Sequence, residues 1–502
     1  MELIETLLSF SEKAGEIART IRREPKLFSL LVEEKGEEEK NQRFTQDFKT
    51  LADVLIQEAL RHHVTQMIPS LGEHVHGEES AEFTNTLGER VIVQICATKE
   101  ETATLLEKVL DGNREAADLL AAVVHTAIIV KPDSTLAAKI PKIPLDNLGI
   151  WIDPIDSTGE YVRGEIGKLS GSIYSSGLPS VTILIGFYDR FTGEIIGGVV
   201  NHPFAVYDEE NQSWHGEVYW SVNYNDVKVH NMQIHKLASD ATRPVIVMSS
   251  SEDVKVQEML GKKFDIVYAS GAGYKLLVVA LGQVVAYVCS KSSTFRWDTA
   301  APHGLLQALG GGVVVYRQLL SSAEDNHVSE DMLKNIQIKY NKPNADSPKA
   351  SLQWSNAGGI VAYRDNKEKP RERSSSKPLL TLCETLARRA GKERPLGGFT
   401  NTSLVLLTPP RVWAIDNDRR RNMHHVFQMR LESPAGSQVW AGHFREASPR
   451  DHGEFPLPLC SKETKGGIRV KLKGLGDVSI LRKDLERPFG PVSIDIPLAD
   501  NG

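Results

Sequence analysis

The stretch Trp151-Ile152-Asp153-Pro154-Ile155-Asp156-Ser157-Thr158 restricts the architecture of this 502-residue chain more than any other segment. Its apolar positions read as the end of a β-strand. Two carboxylates follow, three residues apart, around a proline whose ring fixes the backbone between them. Ser-Thr then stands where a helix begins, and the unpaired N–H groups of a helix N-terminus favour an anion. Carboxylates for a hard cation, beside N–H groups for a phosphate, point to metal-assisted phosphate chemistry.

The remaining chain supplies a layered frame for such a turn. Leu3, Leu7, Leu8, Ala14, Ile17 and Ala18 recur at helical spacing, and Leu27, Leu30 and Leu31 repeat it. Further helices are expected over 51–64, which places Asp53 near an N-terminus, and over 100–110 and 114–125. Strands are expected at 149–153, 181–188, 195–201, 245–249, 266–269 and 284–289, with 181–188 and 195–201 forming a hairpin. Gly271-Ala272-Gly273-Tyr274-Lys275 opens an apolar, helix-like run. Helices first, then strands interleaved with helices, predict an α/β (α+β) sandwich. The segment 319–348 reads as a polar surface excursion.

The end of the chain has another texture. Residues 391–502 carry 17 Lys+Arg against 13 Asp+Glu and 10 of the 24 prolines, after a polar linker at 367–377. The reading is a domain for that metal and phosphate chemistry over 1–390 and a Pro-rich, weakly ordered extension over 391–502. Val412-Trp413-Ala414-Ile415 and Val439-Trp440-Ala441 are either short strands or chance apolar clusters.

A formal net charge of -6 argues against a general nucleic-acid binder. Four scattered cysteines without a CxxC pair suit neither a disulfide framework nor a zinc site. The N-terminus has no secretory pattern, and the apolar run 276–288 is too short to span a bilayer. The expectation is a cytoplasmic, monomeric protein without a membrane span or a nucleic-acid partner.

Three acidic groups stand at strand ends or helix starts: Gly77-Glu78-Glu79-Ser80, Asp153-Pro154-Ile155-Asp156 and Trp297-Asp298-Thr299. Singly, each reads as surface charge or a helix cap. Together they supply the oxygen donors that a pair of Mg²⁺ ions needs. Asp153 can bridge, with Glu78 and Glu79 on one side and Asp156 and Asp298 on the other, and the Ile155 carbonyl is turned toward the same place. Lys275, after its glycine-rich turn, suits a second phosphate or else caps a helix as a solvated cation. Ser249 either adds a hydroxyl contact to the same ligand or belongs only to a turn.

In order and spacing these motifs resemble the lithium-sensitive, Mg²⁺-dependent phosphomonoesterase superfamily, and the similarity runs from the N-terminus to about Tyr363. Asp47-Phe48-Lys49-Thr50-Leu51-Ala52-Asp53, the 271–275 motif and Ser157, where many relatives have Gly, bring the chain closest to the branch acting on inositol polyphosphates. The resemblance implies an αβαβα sandwich and two or three Mg²⁺ ions on Glu78, Glu79, Asp153, the Ile155 carbonyl, Asp156 and Asp298, with Asp53 beside them and linked to lithium sensitivity. It implies that Thr158, with Glu78, orients and deprotonates the attacking water. Ser157 and Thr158 would hold the scissile phosphate, while Gly271, Ala272 and Lys275 contact the rest of a small inositol phosphate. The implied reaction removes the 1-phosphate from inositol 1,4-bisphosphate and inositol 1,3,4-trisphosphate. A 3′(2′),5′-bisphosphate nucleotidase using the same ions, and a catalytically idle phosphate-binding protein, stay open at this stage.

Overall fold

The computed structural model describes residues 2–24, 32–34, 48–233, 243–324, 329–344, 352–364, 382 and 385, and a set of strands between 403 and 495. Leu27, Leu30, Leu31 and the 367–377 linker lie outside the described residues. Residues 1–393 and 394–502 form two separate compact units.

The first unit begins with α1 (Glu2–Arg23) and α2 (Leu51–Met67). Thr50 and Asp53 start α2 by reciprocal capping: the Thr50 N–H donates to Asp53 Oδ2 at 2.6 Å and the Asp53 N–H to Thr50 Oγ1 at 3.3 Å. α3 (Lys99–Val109) and α4 (Arg114–His125) follow, started by Thr98 and Asn113. These helices cover one face of a six-stranded sheet. Its strands are β1 (Val75–Gly77), β2 (Leu148–Asp156), β3 (Thr182–Asp189), β4 (Ile195–Asp208), β5 (Ser213–Tyr224) and β6 (Val227–His230), in spatial order β6-β5-β4-β3-β2-β1. The short helix α5 (Thr158–Arg163) leaves the end of β2.

A five-stranded sheet follows, built from β7 (Val245–Met248), β8 (Asp265–Tyr268), β9 (Ala286–Cys289), β10 (Gly312–Val315) and β11 (Ile360–Tyr363), in order β8-β7-β9-β11-β10. Its connections include α6 (Val254–Gly261), α7 (Ala272–Ala280), α8 (Arg296–Ala308), α9 (Tyr316–Glu324) and α10 (Glu330–Asn335).

Strand alternation assigns the faces. On the larger sheet, Ile150, Ile152, Ile183, Ile185 and Val199 join the core shared with α1–α4, whereas Trp151, Leu184 and Val200 join a second core. That second core also takes Val247, Tyr287, Val313 and Ala362 from the smaller sheet, with α7 and α8 between the sheets. Ile246, Val288, Val314 and Val361 point the other way, into a third core with Val256 and Leu260 of α6 and Leu319 of α9. Three cores separate five layers, the expected αβαβα sandwich. The apolar run 276–288 divides between α7 and β9, and no helix among the described residues is long and apolar enough to cross a membrane.

One expectation is corrected. The 319–348 segment is no polar excursion where it is described: Leu319, Ile338 and Tyr340 are buried. Tyr340 Oη lies 2.9 Å from His303 Nδ1, and the Trp151 indole N–H donates to the Tyr340 carbonyl at 3.1 Å. Burial pushes His303 down to about 3, so its imidazole stays neutral within this network.

In the second unit, β12 (Ser403–Leu407), β13 (His424–Ser433), β14 (Gly436–Arg445), β15 (Leu459–Thr464), β16 (Gly467–Leu472), β17 (Gly476–Leu481) and β18 (Val492–Asp495) form antiparallel sheets of order β14-β13-β12-β18 and β15-β16-β17. Val439-Trp440-Ala441 falls within β14, and 412–415 lies outside the described residues.

Candidate metal centre and phosphate seat

Every residue of β2 is buried, because the strand lies between parallel β1 and antiparallel β3. Along a regular strand, Asp153 and Asp156 would face opposite sides. Pairing with β3 shifts register between Asp153 and Asp156, and resumes with Asp156 opposite Thr182. Pro154 sits within the shift, where it has no ladder N–H to lose. The two carboxylates therefore come to one side while Ile155 stays in the outer core.

Asp298 reaches the same place from the first turn of α8, where its Oδ2 accepts the Phe295 N–H at 2.7 Å. Carboxylate oxygens of Asp153, Asp156 and Asp298 all lie within 4.8 Å of one another, and all three residues are buried. Burial, then the charges of Glu78, Asp156 and Asp298, push the Asp153 carboxyl far above the ordinary carboxylate range. Asp298 is raised by burial and by Asp156 and Glu78, against the Phe295 N–H bond. Asp156 is raised chiefly by burial. Lys275 and donors from Gly273, Ala272 and Thr182 pull it back.

Such a cluster is costly without a cation. Asp153 Oδ1 is buried without a hydrogen-bond partner among the described residues, as an oxygen reserved for a metal would be. An all-oxygen donor set suits Mg²⁺ better than Zn²⁺ or copper. The residues present thus fit the ion expected from the sequence.

The other predicted ligands flank this group. Parallel pairing of Gly77 with Ile152 puts Glu78 one step further along β1, its N–H donating to the Ile152 carbonyl at 3.3 Å. Its charge acts on Asp153 and Asp298, although its carboxylate lies outside the 4.8 Å group. Glu79 is buried, and its main chain is held at both N–H and C=O by the Gln57 amide. Asp53 is buried in the first turn of α2 as the capping carboxylate, also outside the tight group.

On the phosphate side, Ser157 adopts a left-handed backbone, φ 73° and ψ 47°, immediately before α5. Thr158 Oγ1 donates to the Ile155 carbonyl at 3.1 Å. Left-handed geometry costs a non-glycine residue about 1–2 kcal/mol, so Ser157→Gly is expected to raise stability by about 1 kcal/mol in chemical denaturation. An unchanged or lower midpoint would show that the Ser157 side chain compensates for the strain.

The 271–275 turn packs directly on Asp156. The Gly273 and Ala272 N–H groups donate to its two oxygens at 2.8 and 3.3 Å. Gly271 has φ +74°, and a Cβ there would lie 2.7 Å from the Ser180 carbonyl oxygen and 3.0 Å from Asp156 Oδ2. Lys275 is not solvated: it is 3% exposed and donates to the carbonyls of Ala269, at 3.1 Å, and Gly271. Ser249 follows β7 in a turn, its hydroxyl 3.0 Å from that of Ser251. The adjoining Ala269 N–H donates to the Met248 carbonyl at 3.1 Å.

Four supporting residues escaped the sequence reading. Gln57 fixes Glu79, and its place four residues after Asp53, on one helix face, was a usable signal. Thr182 donates to Asp156 Oδ2 at 3.2 Å. Asn356 donates to Thr294 Oγ1, the Phe295 carbonyl and Thr299 Oγ1 at 3.0, 2.8 and 3.3 Å, clamping the turn that carries Asp298. Glu160 is the fourth. None of these three has a periodic or motif signature.

Comparison with known proteins places the chain in a family. Residues 2–342 match the inositol monophosphatase family. Inositol polyphosphate 1-phosphatase of Mus musculus is 40% identical over 378 residues, 72% of this chain and 94% of that protein. The Homo sapiens protein of the same name is 40% identical over 386 residues, 73% and 94% respectively. A 3'(2'),5'-bisphosphate nucleotidase 1 of Rattus norvegicus is 25% identical over 314 residues, 62% and 82%. With the acidic triad, its flanking glutamates and a family match over most of its length, this chain belongs to the inositol monophosphatase family.

Proposed function

We propose that this phosphatase is a cytoplasmic, monomeric, Mg²⁺-dependent enzyme that removes the 1-phosphate of inositol 1,4-bisphosphate and inositol 1,3,4-trisphosphate and is inhibited by lithium. The observation that carries it is the convergence of Asp153, Asp156 and Asp298 within 4.8 Å beside the start of α5. The 40% identity to inositol polyphosphate 1-phosphatases, against 25% to the nucleotidase, favours the inositol substrate.

Glu78, Glu79, Asp153, the Ile155 carbonyl, Asp156 and Asp298 are the proposed holders of two or three Mg²⁺ ions, with Asp53 nearby. When bound, those ions polarise the phosphoryl group and lower the pKa of water. The Thr158 hydroxyl donates its hydrogen bond to the Ile155 carbonyl. Its oxygen lone pairs can therefore accept from the attacking water and aim it at phosphorus, while Glu78 takes the proton. The water oxygen bonds to phosphorus, the ester P–O bond breaks, and the leaving oxygen takes a proton from solvent water to become the inositol hydroxyl, while Glu78 later returns its proton to solvent. The N–H groups of Ser157 and Thr158 precede the first intrahelical bonds of α5 and are offered to the phosphate. Gly271, Ala272, Lys275 and Ser249 are assigned to the rest of the substrate.

Phosphate release from a panel of inositol phosphates and nucleotide bisphosphates, with and without Mg²⁺ and Li⁺, tests the reading. Mg²⁺-dependent, Li⁺-sensitive release from inositol 1,4-bisphosphate is expected. Release from the nucleotide alone would overturn the substrate. All of the proposed site lies before residue 394, so a 1–393 truncation is expected to keep kcat within about twofold; a large loss would show that the second unit contributes to the site.

A further inference from the structure

Glu160 is the third residue of α5 and is buried, its side chain 11% exposed. It stands two residues after Thr158, where a negative charge works against a phosphate ligand. Its oxygens are nonetheless both engaged. Oε2 accepts the Gly177 N–H at 2.9 Å, and Oε1 accepts the Ser270 hydroxyl at 2.8 Å and lies 2.7 Å from an Arg163 nitrogen.

Those donors belong to two separate connections. Gly177, with φ +83°, ends the excursion between α5 and β3; Ser270 lies between β8 and α7, immediately before Gly271 and Ala272. The two connections also meet directly, the Ser270 N–H donating to the Ser175 carbonyl at 2.9 Å. Arg163 is half exposed, so its ion pair adds little on its own. The buried bonds to Gly177 and Ser270 are the substantial ones.

We infer that Glu160 is a positioning residue: one carboxylate fixes the 269–272 turn and the 175–177 segment against α5, setting the gap between the phosphate seat at Ser157–Thr158 and the groups that hold the rest of the substrate. The substrate side of this inference rests on the function proposed above; the brace itself does not. Glutamine can replace it, since an amide oxygen accepts the Gly177 N–H while the amide NH₂ donates to a rotated Ser270 hydroxyl. Alanine removes both bonds and leaves a buried N–H unpaired.

The test uses the full chain. In hydrogen exchange without substrate, Glu160→Ala should speed exchange of the 175–178 and 269–272 backbone about tenfold or more, on the scale of losing one or two charge-assisted hydrogen bonds. Glu160→Gln should exchange like the parent. In phosphate release from inositol 1,4-bisphosphate, Glu160→Ala should raise KM about tenfold with kcat falling less than about threefold, and Glu160→Gln should restore KM.

Parent-like exchange in Glu160→Ala, or Gln behaving like Ala, overturns the brace, as does a lowered Tm with an unmoved KM. If Glu160→Ala does not fold, Ser270→Ala replaces it. Faster exchange confined to 269–272 then supports the inference, and unchanged exchange overturns it. Failure of the unsubstituted protein to release phosphate from inositol 1,4-bisphosphate overturns the proposed function, and the exchange measurement still decides the brace.

Discussion

Asp153→Asn lowers phosphate release by at least about 10³-fold, the scale of losing one preorganised charge at a reacting centre, while making the metal-stripped protein more stable. The second half of this expectation follows from burial. Asp153 is 1% exposed, with two further aspartates within 4.8 Å. A neutral, nearly isosteric side chain removes both desolvation and like-charge repulsion.

The pH dependence has a definite sign. The folded-state pKa of Asp153 is raised from 3.8, so its contribution to stability is fully present below the unfolded value and is lost as pH rises through the folded one. In chelator, the Tm advantage of the variant should therefore widen from about pH 4 toward neutrality and close in acid. Added Mg²⁺ should raise the parent's Tm and move the variant's much less. Thermal melts in chelator and in Mg²⁺, beside phosphate release, check the set. A variant that keeps its Mg²⁺-induced shift and most of its turnover would remove Asp153 from the metal centre.

Asn356→Ala is expected to cost about 2–4 kcal/mol, from several buried hydrogen bonds at about 1 kcal/mol each plus the groups left unpaired. Asn356 is 2% exposed, and its amide ties Thr294, Phe295 and Thr299 together. The Phe295 N–H in turn donates to Asp298 Oδ2, so the loosened turn carries a proposed metal ligand. Mg²⁺ affinity should fall about 10–100-fold, as when the support of a metal ligand is lost. Denaturant unfolding in chelator gives the first quantity, and Mg²⁺ titration of the folded variant gives the second. Destabilisation without a weaker Mg²⁺ midpoint would make Asn356 a structural clamp alone.

The helices and the buried strands were legible because their patterns are strong. The helix expected at 114–125 matches α4 (Arg114–His125), and the hairpin of β3 and β4 follows from two apolar runs around a turn. β5 and β6 were missed. In Ser213–Tyr224 the exposed polar positions His215 and Glu217 dilute the apolar signal, and the strand is recognisable only by its pairing with β4.

The acids were legible as a set because ligand chemistry demands several at once. What brings Asp153 and Asp156 to one side was not, since it depends on a register shift between strands. Ser157 shows the same boundary: its identity is in the sequence, its left-handed backbone only in the fold. Thr182, Glu160 and Asn356 do their work through contacts made far along the chain, and no local pattern records those.

Helix α8 packs against strands of both sheets, whereas Asp153 and Asp156 ride on the larger sheet alone. Asp298 therefore reaches the other two acids from a helix that itself bears on both sheets. On the proposed metal reading, a substitution where α8 meets the smaller sheet, far from any carboxylate, should surface as a weaker grip on magnesium.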